Sequence, residues 1–147
     1  MSLKNFLPNK FVQIKDHVNT WQEAITIACQ PLLESNIIKP SYISALIEEN
    51  NHQNVYCFIG KNMVIPHAAP EKGVLADAFA MLILKNPIAF ENGHKVSIVT
   101  PLAIYNQKRH LKALSELVEI AENETKIARL LNAKDVLEAQ FIINGCS

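Results

Sequence analysis

The sequence of 147 residues lacks most features that mark specialised classes of protein. Neither sign of charge dominates, because lysine and arginine total 14 and aspartate and glutamate also total 14. A clustered basic surface for nucleic acid is therefore not indicated. No apolar run approaches the roughly 20 residues of a membrane span, and the opening MSLKNFLPNK lacks the apolar core of a signal peptide. We expect neither a nucleic-acid partner nor a membrane segment.

Cysteine is also scarce. Cys29, Cys57 and Cys146 are too few and too scattered for a disulfide framework or a zinc site, which favours reduced thiols in a cytoplasmic protein. Hydrophobic residues make up 49% of the sequence and charged residues 19%, a balance typical of a globular chain. Because there is no internal repeat, low-complexity tract or linker, we predict one domain over residues 1–147.

A strand and a helix are predicted near the start of the chain. Residues 11–14 are short and β-prone, which favours a strand. Thr20 followed by Glu23 indicates the N-terminus of a helix. Apolar residues then recur at helical spacing, and Pro31 inside this pattern predicts a kink or a break.

Helices are predicted again later in the chain. KPSYISALIEENN has helical spacing, with Tyr42 and Leu46 facing inward. From Lys108 onward the period is helical once more, and two shorter helices follow the first. The apolar face of that first helix is predicted to comprise Leu111, Leu114, Leu117, Val118 and Ala121.

The predicted strands lie between these helices. Residues 55–59 favour a strand, and residues 78–84 are apolar throughout, as in a strand covered on both faces. Residues 85–94 are predicted to be a loop. Residues 95–104 predict another buried strand, which should end or reach an edge at Pro101 because proline cannot donate to the ladder. The order predicts an α/β fold: a single domain whose mixed, mostly buried β-sheet is flanked by helices on both faces.

His67 is the candidate for chemistry. In MVIPHAAPEKGV it follows Pro66, which pushes Ile65 towards extended geometry, so that the histidine leaves the strand in a defined direction. A neutral imidazole nitrogen can attack a phosphoryl group and hold it covalently. From the pattern alone, a structural or merely exposed histidine remains the alternative. No two histidines have the spacing of a helical metal site, so none is predicted.

Three stretches resemble, in order, the enzyme IIA domain of the bacterial phosphoenolpyruvate–sugar phosphotransferase system. They are IPHAAPEKGV, MLILKNPIAF and RHLKALSELVEIAENETKIARLLNAKDVLE. The resemblance is to the fructose/mannitol class, or type 2, and the PHA-PE-GV phrase is most similar to its ascorbate-type branch. EAITIA and VYCFIG also match, so the resemblance covers nearly the whole chain.

The resemblance implies a phosphoryl relay in sugar uptake. The histidine of the PH motif is the family's phosphoacceptor, which would be His67 here. A second histidine opens the helix after the last core strand and supports the phosphoryl group, which would be His110. The partners would be the carrier protein HPr as donor and a cysteine of an enzyme IIB as acceptor, with the membrane reached only through an enzyme IIC. Neither a metal nor a cofactor is required, and the domain does not touch the sugar.

The chain departs from the family pattern in its arginines. Members usually carry one before the YIG strand, where this chain has IEENNHQN, and often one in PHARPE, where it has Ala69. The only arginines are Arg109 and Arg129, and Arg109, directly before His110, is the candidate to compensate. The alternatives to a working phosphocarrier are a non-transporting regulatory protein of the same fold, which docks a partner according to phosphorylation state, and a generic α/β binding module.

Overall fold

The computed structural model describes residues 2–51, 58–106 and 108–145. The helices are α1 (Leu3–Phe6), α2 (Trp21–Glu34), α3 (Pro40–Asn51), α4 (Leu111–Glu122), α5 (Glu124–Leu131) and α6 (Val136–Ile143). The strands are β1 (Val12–Lys15), β2 (Phe58–Ile59), β3 (Met63–Val64), β4 (Ala78–Phe79), β5 (Met81–Ala89), β6 (Lys95–Val99) and β7 (Leu102–Ala103). No helix in these ranges is long and apolar enough to cross a bilayer.

The strands form a mixed sheet in the order β1-β5-β6-β3-β2, with β4 and β7 as a separate antiparallel pair. Strands β1 and β5 are parallel, as are β3 and β6, whereas β5 and β6 are antiparallel. Four consecutive residues of β5, from Met81 to Leu84, are fully buried. Because successive side chains of a strand point to opposite faces, both faces are covered there. The predicted α/β fold with a mixed, buried sheet is confirmed.

Helix α2 begins where the sequence predicts, but it does not break. The Thr20 hydroxyl oxygen accepts a hydrogen bond from the Glu23 backbone N–H at 3.1 Å. The helix continues through Pro31 to its end at Glu34, so of the predicted kink or break, the break is wrong. Proline leaves the carbonyl four residues earlier without its helical donor. That carbonyl belongs to Ile27, and the side-chain amide of Gln13 on β1 donates to it at 2.7 Å.

Two strand boundaries differ from the prediction. The strand predicted at 78–84 is divided between β4 and β5. The region predicted as a loop from residue 85 is partly strand, because β5 runs through Pro87 to Ala89. A register shift between Ile83 and Ile88 interrupts its pairing with β6, which accommodates a residue without an N–H group. Strand β6 ends before Pro101, as expected. Of the strand predicted at 55–59, only Phe58–Ile59 lies within the described residues.

The inward face of α4 is only partly the predicted one. Leu117 and Ala121 are buried, but Leu111 is 62% exposed. Leu111 lies six residues before Leu117, which at 3.6 residues per turn places it about a third of a turn away around the helix axis. The buried stripe instead runs through Ala113 and Ile120, and α4 packs against α1. Leu111 is left at the mouth of the pocket described below.

Candidate active site

His67 stands where the chain leaves the central part of the sheet. Strand β3 ends at Val64, but its pairing continues beyond that residue. Thr100 donates its backbone N–H to the Val64 carbonyl at 2.9 Å, and Leu102 donates to the Pro66 carbonyl at 3.0 Å. These bonds fix the backbone up to the residue before His67. The imidazole is therefore attached to a rigid strand end, which is the arrangement predicted from Pro66.

One nitrogen of the His67 ring is tied to the backbone. Nδ1 lies 2.8 Å from the carbonyl oxygen of Ile65. A carbonyl oxygen can only accept, so in the neutral ring Nδ1 carries the proton and Nε2 carries the lone pair. The side chain is half-buried. The ring thus presents a nucleophilic nitrogen and cannot rotate without losing its bond to Ile65.

His67 and His110 line one pocket of about 740 Å³. The pocket lies between the segment after β3, the segment after β7 and the first turn of α4. Its walls are largely apolar, with Ile65, Leu102 and Ile104 among them. The structure therefore brings together the two histidines that the sequence and the family resemblance single out.

His110 lines this pocket and also has a buried nitrogen without a partner. Its side chain is 8% exposed, and its Nδ1 atom is buried with no hydrogen-bond partner among the described residues. The residue is the N-cap of α4, but its side chain makes no capping bond. A buried polar atom without a partner carries a desolvation cost. The helix N-terminus beside it favours an anion.

The charges around the pocket are acidic. Glu49 and Glu71 both line it, and among its described lining residues there is no lysine or arginine. Ala69, the position at which the family resemblance leads us to expect an arginine, also lines the pocket. The side chain of Asn50 lies outside the described residues, as do residues 52–57, which complete the stretch IEENNHQN. Within the described residues, the helix N-terminus and the histidines are the groups that favour an anion.

Arg109 contacts Asp77 in this structure. Its Nη1 atom lies 3.8 Å from a carboxylate oxygen of Asp77, and Arg109 is not among the residues that line the pocket. The other Asp77 oxygen accepts the backbone N–H groups of Tyr105 and Asn106, at 2.5 Å and 3.0 Å. Asp77 thus holds the loop that leads to His110. The suggested compensation by Arg109 is not supported by this geometry.

Sequence reasoning missed two residues of this site. Asp77 was not identified, because nothing in the pattern shows that its carboxylate reaches a loop 28 residues further along. Tyr42 was assigned to the core, and it is fully buried. Its hydroxyl also contacts the backbone of Ala68, directly after His67. A tyrosine on the inward face of a helix carries a polar group that needs a partner, but the sequence does not name that partner.

The chain thus has an α/β fold with a mixed β-sheet. One histidine of the candidate site lies at the end of a strand, and the second lies at the start of a helix. The family described as "Phosphoenolpyruvate-dependent sugar phosphotransferase system, EIIA 2" matches residues 5–145. The chain belongs to this family, whose members are components of the sugar phosphotransferase system.

Individual relatives agree with this assignment. The ascorbate-specific EIIA component of Salmonella typhi is 28% identical over 98% of this chain and 96% of its own length. A IIA protein of Streptococcus mutans, PtxA, superposes with a TM-score of 0.87 at 30% identity, covering 99% of this chain and 95% of that one. The mannitol enzyme IIA of Escherichia coli, solved in complex with phosphorylated enzyme IIB, superposes with a TM-score of 0.79 over 92% of this chain and 95% of that one. At 20% identity, that last similarity shows the fold alone.

Proposed function

We propose that this protein is a phosphocarrier that accepts a phosphoryl group from phospho-HPr on His67 and passes it to a cysteine of an enzyme IIB in sugar uptake. The observation that carries the proposal is the Nδ1 contact of His67 with the Ile65 carbonyl at 2.8 Å. It leaves Nε2 as the nucleophile in the pocket that His110 also lines. Family membership supports the proposed reaction class, and the contact of Nδ1 with Ile65 supports Nε2 as the reacting atom.

The proposed chemistry consists of two in-line displacements. In the first, Nε2 of His67 forms a bond to phosphorus while the bond from phosphorus to the donor imidazole nitrogen breaks, and the electron pair of that bond stays on the donor nitrogen. In the second, a thiolate of the enzyme IIB attacks phosphorus and Nε2 leaves with its electron pair. Such transfers depend mainly on positioning and on donors around the equatorial oxygens. The proposal assigns that supporting role to His110 and to the N-terminus of α4.

The proposed partners are proteins. HPr follows from the family resemblance, and an enzyme IIB from the resemblance and from the complex solved for the mannitol relative. The protein would work in the cytoplasm and would reach the membrane only through an enzyme IIC. Neither a metal nor a cofactor enters the proposed transfer.

A regulatory protein of the same fold is the second candidate. The observation that favours it is the charge of the pocket, because Glu49 and Glu71 line it without a lysine or arginine among its described residues. A phosphoryl group on histidine carries a charge of roughly −2 near neutral pH. Two carboxylates close to it would oppose phosphorylation. In that case the protein would dock a partner according to its phosphorylation state and would not feed a transporter.

Labelling tests the proposal directly. The protein is mixed with radiolabelled phosphoenolpyruvate, enzyme I and HPr, and the label is followed on this chain. We expect an acid-labile, alkali-stable label, as a P–N bond requires, in the wild type and in the control His17→Ala, whose histidine is exposed. His67→Ala should take up none. Equal labelling of His67→Ala would overturn the assignment.

A further inference from the structure

The backbone hydrogen-bond ladder that continues past β3 ends beside His67, one bond earlier than the geometry of a parallel sheet would predict. The backbone N–H of Thr100 bonds to the Val64 carbonyl, and that of Leu102 bonds to the Pro66 carbonyl. These are successive bonds of a parallel ladder that continues past the end of β3. In such a ladder the next bond would run from the N–H of Ala68 to the carbonyl of Leu102.

The hydroxyl of Tyr42 stands between those two groups. It accepts the Ala68 N–H at 3.1 Å and lies 2.6 Å from the Leu102 carbonyl oxygen, to which it donates. The Ala68 carbonyl is also within 3.4 Å, but the hydroxyl has one proton and the nearer acceptor takes it. Burial raises the pKa of Tyr42 to about 12. The phenol therefore remains protonated at neutral pH and keeps its donor role.

We propose that Tyr42 is a positioning residue for His67: its hydroxyl is inserted into the ladder, holds Ala68 away from Leu102, and so sets the direction of the imidazole. This inference rests on the proposed role of His67 as phosphoacceptor. Tyr42 acts through the backbone and is not a catalytic residue, since it is not among the residues that line the pocket.

The backbone of His67 is held by hydrogen bonds of the residues on either side of it. Before it, the Pro66 carbonyl is fixed by Leu102, but Pro66 has no N–H with which to continue the ladder. After it, the N–H of Ala68 is fixed by Tyr42. Tyr42 belongs to α3 and not to the sheet, so the hydroxyl joins two layers of the fold at this point. Without it, Ala68 and Leu102 either approach each other or lose their buried bonds, and in both cases the backbone of His67 shifts.

A variant that lacks only the Tyr42 hydroxyl tests the positioning role separately from the packing of the ring. Tyr42→Phe keeps the ring, and Tyr105→Phe is the matched control because Tyr105 is 64% exposed. For acceptance from phospho-HPr we expect Tyr42→Phe to lower kcat by about tenfold or more, since small misplacements of a reacting group are costly. The KM for phospho-HPr should be unchanged, because the hydroxyl is buried away from the surface. Tyr105→Phe should leave kcat unchanged.

Nuclear magnetic resonance provides a readout that does not depend on transfer. In the unphosphorylated wild type, nitrogen spectra should show the His67 tautomer with its proton on Nδ1, and Tyr42→Phe should alter those resonances while Tyr105→Phe should not. The Ala68 amide of the wild type should be protected from hydrogen exchange, a measurement that holds even if Tyr42→Phe folds poorly.

The outcomes distinguish the two proposals. A wild type that takes no label on His67 defeats the proposed function, while the resonances still decide whether Tyr42 orients the ring. Conversely, a wild type that is labelled, together with a Tyr42→Phe variant of unchanged kcat and unchanged His67 resonances, overturns the positioning role. Rapid exchange of the Ala68 amide in the wild type would overturn it as well.

Discussion

The Nδ1 atom of His67 lies 2.8 Å from the carbonyl oxygen of Ile65, two residues earlier in the chain. This contact determines which nitrogen is available for chemistry. We predict that phosphorylation occurs on Nε2, because attack from Nδ1 would require the ring to give up its bond to Ile65. Phosphorus and nitrogen NMR of the phosphorylated protein distinguishes the two isomers. A phosphohistidine substituted at Nδ1 would contradict the account of the site.

His110 is expected to support the phosphoryl group. The residue lines the same pocket as His67, at the start of α4. Replacing His110 with Ala should slow acceptance from phospho-HPr by about 10²-fold, the usual effect of losing one preorganised donor. His17→Ala is the control, since His17 is exposed and does not line the pocket. An unchanged rate for His110→Ala would remove His110 from the mechanism.

The separation of the two rings is a geometric prediction. Nitrogens of His67 and His110 should lie on the order of 4–6 Å apart when the phosphoryl group is bonded to His67 and one of its oxygens lies at hydrogen-bond distance from His110. A crystal structure of the phosphorylated protein measures that distance. Rings too far apart to share one group would restrict the site to His67.

The proline in α2 leads to a prediction about stability. Gln13 donates to the carbonyl of Ile27, the group that lacks its helical donor because of Pro31. Gln13→Leu should lower the free energy of unfolding by about 1 kcal/mol, the typical net value of such a bond. In a Pro31→Ala background the cost should be smaller, since the restored N–H can bond Ile27. Urea unfolding of the four proteins measures the coupling, and equal costs in both backgrounds would argue against it.

This bond illustrates what the sequence predicts and what it does not. Apolar periodicity predicted α2 and the burial of residues 78–84, because burial on one face or two leaves a direct pattern, but it did not predict that these residues divide into β4 and β5. It could not predict that Gln13 on β1 would reach Ile27 on α2, since that contact requires the tertiary arrangement. The predicted break at Pro31 was wrong for the same reason.

The candidate site shows a similar division. His67 could be singled out as a candidate from its own neighbours, because Pro66 and the apolar strand before it define its direction locally, but its predicted role came from the family resemblance. His110 required the family resemblance, since a histidine at a helix start is common. The exposure of Leu111 and the contacts of Tyr42 depend on how α3 and α4 pack, which no local pattern records.

Stability should fall at alkaline pH. Burial raises the pKa of the Cys29 thiol from 9.0 to about 12 and that of Tyr42 from 10.0 to about 12. As pH rises above 9.0, the unfolded chain releases these protons while the folded chain keeps them. The unfolded state then binds fewer protons than the folded state, so the free energy of unfolding decreases as pH rises. The stability that these two groups contribute is lost as pH approaches their pKa values in the folded protein.

Variants isolate that contribution. Cys29→Ala should show a shallower decline of unfolding free energy than the wild type above pH 9.0, whatever its stability at neutral pH. Urea unfolding at a series of pH values measures both slopes. If the two proteins lose unfolding free energy equally steeply with pH, the buried Cys29 thiol does not cause the decline in stability at alkaline pH.

The single-turnover rate of phosphoryl transfer from phospho-HPr to the wild type, compared with that to Ala69→Arg, tests the phosphocarrier account most directly. Ala69 lines the pocket between His67 and the acidic Glu71 along the chain, so an arginine there would add the charge that the described lining lacks. If the protein is a carrier, its site is already complete: the wild type accepts rapidly, and Ala69→Arg changes the rate far less than His110→Ala does. Slow wild-type acceptance that Ala69→Arg or Asn50→Arg accelerates would contradict the account and favour a regulatory protein.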